Sequence, residues 1–479
     1  MSILEKQYAL HNVPIQLQQH IESLLASEQN IAKHGFYPFV AFSKEVRLVS
    51  IKHKLDYYKN ILPTLKGIKS IQCREYLEDL ESKKLIKKRD IKYPFFVDRC
   101  IYYVYAKILN KHYESRIQQL NLHNEILAYR QLPTININGK DFKQNNCTMA
   151  REVFMQIKAR DNKCFVLKLD IKGFFDNICH KNLYKEWAGV LGLEKLPKEH
   201  LNIFKSLTKY CFIAKDEIAL YRLHKRTKSI KNFKDFRLWY KATFGKTFHK
   251  NPNSYGIPQG ASISCVLSNI YMIPFDIECK KIADSINGIY RRYVDDMIFI
   301  CNTKRDIVKI TQAVHSLIKQ RGASLEIHKI NTWDKYSKSQ IYNFNNIKAI
   351  KRNPLQYLGF YFDGENVRVR ETTIANYMRK SHNGIIAMKI KAKERIKNMH
   401  EQGIEFHDKH RKLFRRALYD RYTHLGAANK NPNFISYIYN AFDVFDDSVI
   451  KRQIKQHFKR FNTLLKEADS EICDYIDSL

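Results

Sequence analysis

The spacing of apolar residues divides the chain into helical and extended stretches. Residues 1–35 place apolar side chains three and four positions apart, with no glycine before Gly35, which is a helical period. Residues 44–92 read as helical stretches in which Lys and Arg are interleaved with Tyr and Leu. Three segments read as strands: the apolar run FVLKLDI (165–171), the two β-rich runs of IYRRYVDDMIFIC (289–301) around an Asp pair, and the alternating PLQYLGFYFD (354–363). Between the first two, GIPQGASISCVLSNIYM (256–272) starts as a Gly/Pro loop and becomes a small-residue helix. From about 371 to 479 the pattern is helical, with basic clusters at 389–416 and 451–466. No internal repeat and no long Pro/Gly/Ser linker interrupts it.

Charge changes this picture. Among 479 residues, 83 Lys+Arg face 48 Asp+Glu, a formal net charge of +35. With 44% hydrophobic residues, 16 Gly and 11 Pro, the chain is no low-complexity or collagen-like sequence. A folded chain this basic calls for a polyanionic partner, nucleic acid first, against the plainer reading of a basic surface kept for solubility. The stretch 205–250 is the most basic, with 13 Lys/Arg against 3 Asp/Glu and the aromatics Tyr210, Tyr221, Phe233, Phe236, Trp239, Tyr240 and Phe244. Such a mixture serves a nucleic-acid strand by stacking and phosphate contact. It equally describes an amphipathic helical pair with aromatics inward. The ten Cys include no C-x-x-C pair, so no zinc-finger spacing is present. The N-terminus is too polar for a signal peptide, and no apolar run approaches the ~20 residues of a membrane span. A soluble cytoplasmic protein without membrane attachment is expected.

The acids carry the chemistry. Asp170 ends one predicted strand, and Asp295 and Asp296 sit in the middle of another β-rich segment. Burying carboxylates among apolar residues is costly unless they are paired or bind cations. An Asp-Asp turn is also a common hairpin corner. Magnesium takes few protein carboxylates and completes its shell with water and phosphate oxygens. Two such ions roughly 4 Å apart activate a 3′-hydroxyl and steady a leaving pyrophosphate. Carboxylates from different strands must then meet at one rim, which suits these three.

In this order the residues resemble reverse transcriptases. FVLKLDIKGFFDNI (165–178) is similar to the first palm motif, close to the version in bacterial group II intron and retron enzymes. GIPQGASISCVLSNIYM is similar to the second and YVDD (293–296) to the third. LGF (358–360) resembles the primer grip, and KKRDIKYPFFVDRC (87–100) the fingers pattern, with Arg89, Pro94 and Asp98-Arg99. The likeness covers roughly residues 85–365. It implies an α+β right-hand polymerase with a ferredoxin-like palm, mostly helical fingers and a helical thumb. The implied divisions are a helical N-terminal extension and start of the fingers (1–84), fingers (85–164), a first part of the palm (165–204), a basic insertion (205–255), the remaining palm (256–369), and a helical thumb or RNA-binding region (370–479).

The resemblance also implies roles. Asp170, Asp295 and Asp296 would carry two Mg²⁺ ions, with Mn²⁺ as a possible substitute; Ile171 is counted among the metal-contacting positions and Asp296 is the less direct ligand. Lys88 and Arg89 would hold the triphosphate, Phe175 would be the steric gate that favours dNTPs, and Gln259 and Gly260 would shape the nucleotide pocket. Leu358, Gly359 and Phe360 would grip the primer. Phe174 is expected in the core, and Asp98, Arg99 and Asp176 are an alternative structural ion-pair set. Two departures stand out: Asn331-Thr332 replaces the usual Lys-Thr, with Lys329 two residues earlier, and NGKDFKQNNCTMAREVF (138–154) occupies the place of the usual Gly-Phe-Arg. No His/Asn endonuclease or ribonuclease H set of acids is recognisable. The resemblance points to an antiviral, unknown-group enzyme acting with a non-coding RNA template, dNTPs and a DNA product, with a partner reverse transcriptase or a homo-oligomer as further partners. Alternatives are a retron enzyme, a maturase-like RNA-binding protein, and template-independent or protein-primed synthesis.

Overall fold

The computed structural model describes residues 15–47, 86–160, 163–218, 233–245, 247–322, 324–334, 340–342, 349–352, 354–428 and 432–479. At its centre is a six-stranded sheet in the order Ala349–Arg352, Gln340–Tyr342, Ser324–Asp334, Lys163–Lys172, Asp296–Cys301, Ile289–Tyr293. Four of these strands, with the helices Ser262–Ser285 and Lys304–Gln320, run β-α-β-β-α-β along the chain. Numbered in chain order, the four lie 4-1-3-2 across the sheet, which is the ferredoxin-like arrangement. Residues 173–261 are an insertion between the first strand and the first of these helices.

Strand alternation explains how the sheet is covered. Leu167, Leu169 and Ile171, with Met297, Phe299 and Cys301, face the core that the two helices complete. Cys164, Val166, Ile298 and Ile300 face the opposite side. There they meet the helix Asn146–Lys158, the small sheet Leu355–Tyr357, Phe360–Phe362, Val367–Val369, and the helix Phe434–Phe445. A strand buried on both faces reads as a continuous apolar run, which is how 165–171 reads.

The N-terminal region differs in part from the helical expectation. Ile15–Leu25 and Glu28–Lys33 are helices, but Phe39–Arg47 and Ile86–Tyr93 are strands that pair antiparallel. The register sets Lys44 opposite Arg89 and Glu45 opposite Lys88. Cys211–Ala214 and His249–Lys250 from the basic insertion complete a four-stranded sheet. In that insertion Phe236 and Tyr240 are buried, and Trp239, Phe244 and Phe248 pack around them. These aromatics therefore face inward; Tyr221 and the side chain of Phe233 lie outside the described residues.

The C-terminal part is helical as its pattern predicts. The helices Glu371–Glu401 and His457–Asp477 share a core of Ile385, Ile396, Leu465 and Ile472. Among the described residues no helix is long and apolar enough to cross a membrane, and the nine described cysteines are free thiols.

Candidate active site

The sheet register brings the three acids to one edge. Asp170 and Asp296 are direct partners across the central strand pair. Asp295 lies in the two-residue turn closed by the Tyr293–Asp296 pair. Alternation places Lys168 and Asp170 on the face away from Leu167 and Leu169, and Asp296 joins Ile298 on that same face. Val294, the other turn residue, has φ +62°. For a β-branched residue this costs on the order of 1–3 kcal/mol and persists only where the surroundings hold it.

The electrostatics follow from this crowding. The Asp295 carboxyl is pushed up to about 6, first by burial and then by the charge of Asp170, with which it is in hydrogen-bond contact. Asp296 is treated differently: Lys168 Nζ lies 3.0 Å from its Oδ2, and the Lys168 side chain is only 14% exposed. Two carboxyls forced into contact make a place that a divalent cation would relieve. Among the described residues, no three His, Cys, Asp or Glu side chains form a ready ligand set. Asp170 and Asp295 touch, while Asp296 is engaged by Lys168. Ile171 buries its side chain in the core and pairs with Leu325, so only its main chain borders the acids.

Of the other predicted site residues, Phe175 is half-buried in the turn Phe174–Asn177, and its carbonyl accepts from Ile257 N at 2.9 Å. Phe174 beside it is buried in the core. The carbonyl of Gln259 accepts from Lys92 N at 2.8 Å, which docks the loop on the strand Ile86–Tyr93. Gly260 sits at φ +130°, where a Cβ would come within 2.6 Å of the Lys92 carbonyl oxygen, so only glycine fits. Lys88 and Arg89 pair with Glu45 and Lys44 in that strand; their side chains, and that of Lys329, lie outside the described residues. Leu358 and Gly359 form the hairpin turn between Leu355–Tyr357 and Phe360–Phe362, both at positive φ. Asn146 Nδ2 donates to the Leu358 carbonyl at 3.2 Å, while Phe360 is fully buried against Phe445.

Asp98 and Asp176 face different basic side chains, His34 at Asp98 and Lys92 near Asp176. Asp98 is buried and accepts from His34 Nε2 and Tyr37 N, both at 2.8 Å, which ties the N-terminal segment to the helix Phe96–Gln119. The Arg99 guanidinium lies over the Phe96 ring at 4.9 Å. Sequence reading missed three contributors to the site. Lys168 stands two residues before Asp170 and shares its face by simple alternation. Arg292 and Asp276 form an ion pair with no solvent exposure behind the turn. Tyr129, at φ +58° and 46% exposed, is in hydrogen-bond contact with Cys265 and lines a cavity of about 420 Å³ with Tyr293 and Leu358.

A family model described as Reverse transcriptase (RNA-dependent DNA polymerase) matches residues 86–362, more than half of the chain. The chain belongs to the reverse transcriptase family. The matched domain is that of RNA-directed DNA polymerases, its sheet is the ferredoxin-like one described above, and enzymes with this domain use divalent metal ions. A comparison with curated proteins gives no match. Among solved structures it is similar to telomerase from Candida albicans in complex with a TWJ fragment of telomeric RNA, at TM-score 0.40 and 12% identity over 83% of this chain and 63% of that one. It is similar also to apo telomerase from Candida tropicalis, at TM-score 0.39 and 12% identity over 76% and 60%. The reverse transcriptase thus spans less than two-thirds of these telomerase chains.

Proposed function

We propose that this reverse transcriptase copies a dedicated non-coding RNA into DNA by two-metal nucleotidyl transfer, in bacterial antiviral defence. The observation that carries the chemistry is the Asp170–Asp296 register with Asp295 in the adjoining turn. Asp170 and Asp295 are the direct holders of Mg²⁺, and Asp296 is the less direct one because Lys168 engages it. When bound, the ions lower the pKa of the primer 3′-hydroxyl and neutralise the departing pyrophosphate. Phe175 excludes a ribose 2′-hydroxyl, and Gln259 and Gly260 form the wall of the nucleotide pocket. Lys88 and Arg89 hold the triphosphate. The Leu358-Gly359 turn steadies the primer, and Phe360 anchors that turn in the core.

Composition supports the biological role. The basic insertion, the helical N-terminus and the basic C-terminal helices suit a long structured RNA bound by a cytoplasmic enzyme. The proposed fingers (85–164), palm (165–204 and 256–369) and thumb (370–479) hold template and primer, with a second reverse transcriptase or a second copy as partner. Purified protein should retain this RNA and yield DNA with dNTPs and Mg²⁺. Sequencing both nucleic acids identifies template and product, and loss of phage resistance in an Asp295→Ala/Asp296→Ala strain tests the defence role. Recovery of random cellular RNA with an unaltered plaque count would contradict it.

A further inference from the structure

Behind the Asp295 turn lies a charge network fully removed from water. Arg292 and Asp276 both have zero side-chain exposure. Arg292 Nε and Nη2 donate to the two Asp276 carboxylate oxygens, each at 2.7 Å. Tyr290 donates to the same carboxylate at 2.8 Å. Arg292 Nη1 donates to Asn269 Oδ1 at 3.1 Å and to the Val294 carbonyl at 2.9 Å. Asp276 and Asn269 belong to the helix Ser262–Ser285, so the fork joins that helix to the turn.

An ion pair in this setting is not explained by stability, because apolar side chains of similar volume usually serve a core as well or better. Its distinctive contact is the one with the Val294 carbonyl. That carbonyl belongs to the central peptide of the Tyr293–Asp296 turn. Of the two central residues, Val294 has positive φ and Asp295 does not, the pattern of a type II′ turn. Rotating the central peptide would convert it to type I′, with both residues at positive φ. Hairpins accept either form, and Asp tolerates the left-handed region, so the strands alone do not choose. In the rotated form the Asp295 N–H, which donates to the Asp295 carboxylate, would turn away from it and release that side chain.

We propose that Arg292 is a positioning residue that locks the Val294–Asp295 peptide in one orientation and so aims Asp295 at the metal-binding rim. The proposal rests on the reading of Asp170 and Asp295 as metal holders. Asp276 and Tyr290 orient the fork, and Asn269 fixes it to the helix. Arg292 touches neither substrate nor metal in this arrangement. It acts through one carbonyl.

The test is Mn²⁺ binding, read by electron paramagnetic resonance on the full-length protein without substrates, alongside primer extension. Arg292→Lys keeps a charge opposite Asp276 but loses the fork. Arg292→Met with Asp276→Leu replaces the pair by apolar volume. Neither can hold the Val294 carbonyl in the same way. Each should melt cooperatively, bind Mn²⁺ about tenfold or more weakly, and lose kcat with KM for dNTP little changed. Val294→Gly in the Met/Leu background should weaken binding no further, because the orientation is already free. Asp295→Asn is the reference: it should abolish both Mn²⁺ binding and synthesis. If Asp295→Asn keeps both, the site reading itself fails. If it loses both while a folded Arg292 variant binds Mn²⁺ within about twofold of wild type, the positioning role is overturned. Loss of cooperative melting in both Arg292 variants also overturns it, by making the network a folding requirement.

Discussion

Lys168 Nζ lies 3.0 Å from Asp296 Oδ2, on the face of the central sheet that also carries Asp170. Lys168 thus offsets the charge of Asp296, while Asp170 and Asp295 stay in contact. Lys168→Met should lower the stability of the metal-free protein by about 1–2 kcal/mol, because Asp296 then faces like charges without its partner. The same change should tighten Mg²⁺ binding, since the rim becomes more negative. Thermal melts in chelator and calorimetric Mg²⁺ titration measure the two effects. Higher stability in chelator, or weaker binding, would count against this arrangement.

Asp295 gives a pH signature. Its folded pKa of about 6 exceeds the unfolded carboxylate value of about 3.9. The fold therefore favours the protonated form: that contribution is fully present below the unfolded value and is lost as pH rises through about 6. Metal-free protein should be more stable at pH 5 than at pH 7.5 from this group, by about 1–2 kcal/mol after allowing for partial solvation. Asp295→Asn should remove the difference and stabilise the metal-free protein at neutral pH while abolishing synthesis. Equal pH profiles for wild type and variant would show that the crowding is absent.

Phe175 predicts sugar choice. Phe175→Ala should raise rNTP use relative to dNTP use about tenfold or more, because the proposed gate against a 2′-hydroxyl is removed. Competition between dNTP and rNTP on one template measures it. Unchanged discrimination would assign Phe175 to packing against the core.

Gly260 predicts a coupled defect. A Cβ there meets the Lys92 carbonyl oxygen at 2.6 Å, so Gly260→Ala must push the loop from the strand. The expected cost is about 1–3 kcal/mol in stability, with KM for dNTP raised more than kcat is lowered. Wild-type KM and melting temperature in this variant would exclude the close approach.

Much of the palm was legible because its signals are local. The runs 165–171 and 289–301 became the central strands, and 256–272 became a loop and a helix, because apolar period and turn chemistry decide such elements alone. The acids were legible as charges that an apolar strand does not tolerate without purpose. The strand Phe39–Arg47 was not, because dense charge imitates a helical face until its partner Ile86–Tyr93 is known. Lys168 was readable in principle from its i−2 relation to Asp170. The Arg292–Asp276 pair was not: sixteen residues separate the partners, and only helix-to-sheet packing joins them. The aromatics at Phe236 and Tyr240 were open to two readings, and burial decided between them.

The most direct measurement is DNA synthesis by purified protein carrying its own RNA, with dNTPs and Mg²⁺, compared between wild type and Asp295→Ala/Asp296→Ala. The account predicts labelled DNA from the wild type and none from the double variant, with a cooperative melt in both. DNA made by the double variant at the wild-type rate would contradict it.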